Sequence, residues 1–249
     1  MDLPNLELRR KVAYRPRSNV KEVTPTSHGK NRSYAAFKEL DDESRASACE
    51  MDTVMGRKFD KPCLLTLYLR PSKFQFVFML PEKTNEAVVL ALDEVEHLIG
   101  RRAFKRLFGL ILTDNGTEFS NMRPIERSKV GASDRTKVYY CDVRQSQQKG
   151  CCERNHVELR KMLPKGYFAF DSLQKRDIAI VMSHLNSQPR PSLGGLCAID
   201  MFKAQHGDVA DIILEGFGVE KVSFKKLNLT SKVIDVERRK RGEKPLVRA

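Results

Sequence analysis

Two apolar runs rich in β-branched and aromatic residues, 62–70 and 73–80, are separated by Pro71-Ser72. Runs of this length broken at a turn-forming pair predict an antiparallel hairpin, and a further strand ending near Asp52 is expected to precede it. From 84 to 99 the period changes: Val88, Leu90, Ala91, Leu92, Val95 and Leu98 form a helical stripe that Gly100 terminates. The run 107–113 is almost continuously apolar, the pattern of a strand buried on both faces, and Asp114 stands at its C-terminal end. Another short strand is predicted over 137–141. Helices follow from about 148 to 163, stopped by Pro164, and from 172 to about 187, stopped near Pro189. Phe74, Phe76 and Phe78 alternate with Gln75, Val77 and Met79, which predicts core packing rather than base stacking. Antiparallel strands, a helix, a buried strand, a further strand and then helices define an α/β chain with a mixed sheet.

Composition adds a partner class. The 249 residues carry a formal net charge of +13, which points to a polyanion. The N-terminal stretch holds Arg9, Arg10, Lys11, Arg15, Arg17, Lys21, Lys30, Arg32 and Lys38 against Glu22 alone, and lacks apolar periodicity. Residues 1–47 therefore read as a basic arm or linker, 48–205 as the core, and 206–249 as a basic C-terminal extension. Both ends are candidates for phosphate contact, and equally for solvated charged tails. No apolar run approaches the roughly 20 residues needed to cross a bilayer, so no membrane partner is expected. The six cysteines show no Cys-x-x-Cys spacing and no nearby paired histidines, which argues against structural zinc and for small buried hydrophobes kept reduced in the cytoplasm.

Three carboxylates stand out by their surroundings. Asp52 interrupts an otherwise core-like strand. Asp114 ends the most apolar strand and is followed by Asn115-Gly116, where glycine lets the chain turn sharply. Glu153 lies in the first turns of the helix after Gln147-Gln148-Lys149-Gly150. Ligands gather at the carboxyl ends of strands in open α/β sheets. Three hard oxygen donors on separate elements suit Mg²⁺ or Mn²⁺, and two such ions roughly 3.5–4 Å apart support in-line phosphoryl transfer. The same residues admit a purely structural reading, in which Asp114 caps its turn, Glu153 pairs with Lys149, and Asp52 is an ordinary edge carboxylate. At about 100° per residue, Cys152, Leu159, Met162 and Leu163 share one helix stripe, Lys149, Glu153, His156 and Arg160 its neighbouring edge, and Arg154 and Lys161 face away.

The segment 112–119 (Leu-Thr-Asp-Asn-Gly-Thr-Glu-Phe), Tyr140-Cys141-Asp142, the run from Gln148 to His156, Arg160 and Leu163-Pro164-Lys165-Gly166 together resemble the integrase-type catalytic core of bacterial insertion-sequence transposases, in particular the group named IS thirty. Met51 to Gly56 resembles that group's first catalytic block, and Leu185-Asn186-Ser187 with Arg190 to Leu193 its downstream helix and loop. The resemblance runs from about residue 12 to 205. It implies a ribonuclease-H-like fold and a DDE triad of Asp52, Asp114 and Glu153. It also implies metal-dependent cleavage of DNA at transposon ends, followed by attack of the freed 3′-hydroxyl on target DNA. Asn155 and Arg160 match helix positions of the motif and, with Lys149, Arg154 and Lys165, are expected to contact nucleic acid. A homo-oligomer on double-stranded DNA, associated with the bacterial nucleoid, is implied as well.

The sequence departs from the group's pattern twice. The interval between Asp114 and Glu153 is long for such enzymes, and the extra length is expected in the loop 128–135. The group's N-terminal helix-turn-helix region is not seen: Tyr14-Arg15-Pro16-Arg17 resembles the linker after it, so specific end recognition is not expected of this chain. The alternative function is a truncated DNA-binding remnant without productive transposition, and a third reading is a nuclease that cuts without joining. His156 is expected as a packed or solvated neutral side chain, and Glu118 as a turn or helix-start residue.

Overall fold

The computed structural model describes residues 28–143 and 145–246, without the side chains of Ser146, Gln147, Cys151, Cys152 and Glu153. The hairpin forms as β2 (Cys63–Leu69) and β3 (Gln75–Leu80), preceded by β1 (Cys49–Met55), which runs past its expected end near Asp52 because its pairing with β2 continues to Met55. All seven residues of β2 are buried, so it is the spine of the core. Phe74, Phe76 and Phe78 are buried as expected. Two short helices, α1 (Tyr34–Lys38) and α2 (Asp42–Ser47), lead into β1. Their N-termini are capped by Ser33 and Asp41, whose side chains accept the N–H groups of Ala36 and Ser44.

Helix α3 (Asn85–Phe108) is longer than predicted. Thr84 caps its start by accepting the Ala87 N–H at 3.2 Å. Gly100 (φ 75°) does interrupt the helix, but the chain re-enters helix at once. Ala103, Phe104, Leu107 and Phe108 are buried at helical spacing, and β4 is therefore only Leu110–Thr113. Leu107 and Phe108, read from sequence as strand, belong to the helix because a short apolar run does not distinguish the two.

The rest of the chain forms α4 (Met122–Glu126), β5 (Lys137–Tyr140), α5 (Gly150–Met162), α6 (Lys175–Asn186), α7 (Ala198–His206), α8 (Asp208–Gly216) and α9 (Lys232–Lys240). The loop 128–135 is not slack. Arg135 is fully buried and pairs with Asp93 at 2.5 Å and Glu96 at 3.0 Å on α3, while Ser128 donates to Glu96 at 2.5 Å.

The sheet order is β3-β2-β1-β4-β5, antiparallel through β3, β2 and β1 and parallel through β1, β4 and β5. This mixed sheet flanked by helices is the ribonuclease-H-like α/β architecture. Packing reaches past both expected ends of the core. Phe37 of α1 sits with Ala48, Leu112, Tyr139 and Cys141 in a small cluster. Ile213, Leu214 and Ile234 of α8 and α9 join the main core. Arg238 in the C-terminal basic stretch is buried against Asp177 at 2.5 Å, so part of that charge is internal rather than solvated.

Candidate carboxylate centre

Strands β1 and β4 pair only at Cys49↔Ile111 and Glu50↔Leu112. Beyond these pairs β1 continues beside β2 alone, and an opening forms at the carboxyl end of β4, the kind of position where open α/β sheets bind ligands. The Met51 carbonyl, which has no ladder partner on this side, accepts the Thr113 hydroxyl at 3.1 Å and the Lys149 ammonium at 3.2 Å.

Asp52 and Asp114 are oriented in the same way. Asp52 Oδ1 accepts the N–H of Thr53 at 2.8 Å, and Asp114 Oδ1 accepts the N–H of Gly116 at 2.9 Å. Each then presents Oδ2 to the same Lys149 ammonium, at 3.2 Å and 3.4 Å. Asp114 is thus both a turn cap and a member of a charged centre, one oxygen serving each. Lys149 is 1% exposed, whereas the Asp114 side chain is 46% exposed, so the ammonium approaches from the protein and the carboxylate faces outward.

The loop that delivers Lys149 is pinned by its neighbours. Asn115 donates to the Cys141 carbonyl at 2.7 Å, tying the end of β4 to the end of β5. Asp142 and Gln148 exchange two hydrogen bonds of 2.8 Å. A turn of 3₁₀ helix, Ser146–Lys149, then leads into α5. Burial pushes the Cys141 thiol up to about 12, with the Lys149 charge opposing. Cys49, Cys63, Cys141 and Cys197 are buried free thiols. Cys151 and Cys152 have side chains outside the described set.

Of the other expected site residues, Glu153 stands in the first turn of α5, one turn before His156, and its side chain is outside the described set. His156 Nε2 lies 2.9 Å from Thr66 Oγ1 and its Nδ1 3.9 Å from Asp52 Oδ2. The Thr66 hydroxyl in turn bonds the Asp52 carbonyl at 3.2 Å. Asn155 is buried, donating to Gln75 Oε1 and accepting from Arg190 at 3.0 Å. Arg160 bonds the Met55 carbonyl at 2.6 Å, and burial lowers its pKa. Arg154 and Lys165 are exposed. The structure therefore gathers Asp52, Asp114 and Lys149, gives Asn155 and Arg160 partners within the fold, and leaves Arg154 and Lys165 on the surface.

Sequence reasoning did not find Thr53 and Thr66, whose hydroxyls buttress this centre; nothing in their spacing marks them. Glu118 does stand in a turn, Thr117–Phe119, as expected, and is almost wholly buried. Thr53 donates to its Oε1 at 2.5 Å and Lys83 lies 3.2 Å away. Gly116 has φ −60°, which any residue adopts. Turn geometry does not call for glycine there; a Cβ would sit 2.6 Å from Glu118 Oε2, so that carboxylate would have to shift.

As a donor set, two carboxylate oxygens facing one point, 3.2 and 3.4 Å from the Lys149 ammonium, are of the kind that hard divalent cations take. Among the described residues no group of three or more His, Cys, Asp and Glu could hold a metal ion, and the Glu153 side chain lies outside that set.

Fold and centre together place paired carboxylates where β1 and β4 part in a mixed five-stranded sheet. In sequence, the chain is similar to proteins named integrase and insertion-sequence transposase. It is 30% identical over 177 residues to an ORF3 protein of Spiroplasma virus SpV1-R8A2 B named as an integrase, covering 71% of this chain and 52% of that protein. It is 29% identical over 161 residues to the transposase for insertion sequence element IS4351 of Bacteroides fragilis, covering 65% and 46%. The chain spans about half the length of both relatives. No family model matches it. The catalytic core domain of BIV integrase superposes with a TM-score of 0.43 at 17% identity, covering 66% of this chain and 98% of that one. A simian T-cell lymphotropic virus intasome in complex with PP2A regulatory subunit B56 gamma gives 0.41 at 14% identity, covering 57% and 48%. No helix among the described residues is long and apolar enough to cross a membrane.

Proposed function

We propose that this chain is the catalytic portion of a DDE transposase of the IS thirty group, with Asp52, Asp114 and Glu153 as its triad. It cleaves DNA at transposon ends and joins the freed 3′-hydroxyl to target DNA, acting as a homo-oligomer on double-stranded DNA at the bacterial nucleoid. The unit 48–205 is the catalytic core and 206–249 a C-terminal extension. The observation that carries the reading is the convergence of Asp52 Oδ2 and Asp114 Oδ2 on one buried positive charge, in a chain similar to integrases and transposases.

Asp52 and Asp114 would share one Mg²⁺ or Mn²⁺ ion, and Glu153 would complete the site for a second. When bound, two such ions polarise the scissile phosphate and stabilise the attacking and leaving oxygens. The protein's own part is orientation. The Thr53 and Gly116 N–H groups hold one oxygen of each aspartate, so the other is fixed before any substrate arrives. Arg154 and Lys165, being exposed, are the phosphate contacts. Lys149 serves the carboxylates, and Asn155 and Arg160 hold α5 in place.

The test is nicking and strand transfer on supercoiled plasmid with Mg²⁺ or Mn²⁺, comparing wild type with Asp114→Asn and Glu153→Gln. Metal-dependent products that vanish in both variants support the triad. A protein that binds DNA while wild type and variants are equally inert is the DNA-binding remnant instead.

A further inference from the structure

We propose that Glu118 is a positioning residue for Asp52, acting through Thr53; the inference rests on the metal-dependent reading above. Glu118 is 1% exposed, and a carboxylate taken out of water is costly unless its charge is used or compensated. Only one of its oxygens is. Oε1 takes the Thr53 hydroxyl at 2.5 Å and the Lys83 ammonium at 3.2 Å, while Oε2 meets no donor among the described residues.

Glu118 does not join Asp52 and Asp114 as a ligand. Those two aspartates turn their Oδ2 atoms to Lys149, and no cluster of three acids, histidines or cysteines exists among the described residues. Successive side chains of a strand point to opposite faces, so Asp52 and Thr53 of β1 face opposite sides of the sheet. Glu118 thus grips β1 from the side away from the carboxylate centre.

What it grips is the peptide that aims Asp52. The Thr53 N–H donates to Asp52 Oδ1 at 2.8 Å. At this point β1 has lost its ladder with β4, which ends at Glu50↔Leu112, and keeps only that with β2. On that edge the backbone ladder is replaced by side-chain bonds to the Met51 carbonyl from Thr113 and Lys149, and the Thr53 side chain anchored by Glu118 restrains the residues that follow. An ionised acceptor makes a shorter and stronger hydrogen bond than an amide would. Burial pushes the nearby Cys63 thiol up to about 11, with Glu118 adding to it and Lys83 opposing. Gly116 leaves the room that the carboxylate fills.

The deciding experiment is Mn²⁺ binding by calorimetry, with thermal melts in EDTA, on wild type, Asp52→Asn, Glu118→Gln, Thr53→Val and Thr53→Ser. Outer-shell partners of metal ligands are typically worth about 10- to 100-fold in metal affinity. Glu118→Gln and Thr53→Val are expected to weaken Mn²⁺ binding by about that factor while Thr53→Ser binds as wild type, and all to melt cooperatively in EDTA. If Asp52→Asn abolishes binding but Glu118→Gln and Thr53→Val bind as wild type, the positioning role is overturned and the metal reading stands. If Thr53→Ser loses affinity as Thr53→Val does, in step with a lowered melting temperature, Glu118 is only a structural tie. If wild type shows no Mn²⁺ binding that Asp52→Asn removes, the metal reading falls, and this role with it.

Discussion

Gln75 and Asn186 exchange two hydrogen bonds as a pair of strands would: the Gln75 N–H donates to Asn186 Oδ1 at 2.8 Å, and Asn186 Nδ2 donates to the Gln75 carbonyl at 2.9 Å. β3 is the sheet edge, and an unpaired edge invites pairing with other chains. Here one side chain of α6 substitutes for the missing strand. Asn186→Leu leaves two buried backbone groups unpaired, each worth about 1–3 kcal/mol. The variant is expected to unfold at markedly lower denaturant concentration, and an unchanged midpoint would show the edge finds other partners.

Lys149 holds together two carboxylates that would otherwise repel. Breaking a fully buried pair costs about 3–5 kcal/mol; with Asp114 nearly half exposed, about 1–2 kcal/mol is expected for Lys149→Met in EDTA. Adding Mn²⁺ should narrow the gap, because the cation replaces the lost charge. Melting curves with and without Mn²⁺ test this, and a gap independent of metal would contradict it.

A methyl group at position 116 has to displace the Glu118 carboxylate. Gly116→Ala is expected to cost about 1–3 kcal/mol, as overpacking does, although its backbone angles suit alanine. Chemical denaturation measures it. A neutral result would mean the Glu118 side chain moves aside without loss.

The surface cations and the buried amide of α5 and the following loop separate by salt dependence. Arg154→Ala and Lys165→Ala should each weaken DNA binding and lower the slope of log K against log salt by about one. Asn155→Ala should leave that slope unchanged and lower the melting temperature, because its amide is buried between Gln75 and Arg190.

His184 is buried, accepts the Asn228 N–H on Nδ1 at 3.1 Å, and has its pKa lowered by burial, with Glu237 opposing. A histidine whose folded pKa is depressed gives its full stabilisation above the ordinary value of 6.5 and loses it as pH falls through the lower folded value. The melting temperature should therefore drop as pH falls below about 6.5. The drop should be smaller in His184→Asn, whose Oδ1 can accept the same N–H; an equal drop would assign the effect elsewhere.

The strands were largely legible because β1, β2, β3 and β5 are bounded by turn residues or charge. The boundary between α3 and β4 was not, since Leu107-Phe108 continue apolar into Leu110-Ile111-Leu112 and periodicity cannot divide so short a run. Asp52 and Asp114 could be singled out as charges set in apolar strands. The place of Lys149 could not, because a lysine in a basic chain gives no sign that it turns inward; only the tertiary path of the 3₁₀ turn sends it there. Asn155 was misleading for the opposite reason, being a polar side chain on a polar-looking helix whose partners lie far off in sequence.

The centre also has an order of assembly. Lys149 reaches back to the Met51 carbonyl across 98 residues, and domains emerge from the ribosome N-terminal end first. Both aspartates are thus synthesised before the lysine that neutralises them. Until residue 149 has emerged, the two carboxylates have their local N–H partners but lack the cation that sits between them, so this part of the molecule is completed late. Long-range closure of this kind is slow relative to local structure, and it ties the chemistry-bearing end of the sheet to completion of nearly the whole core.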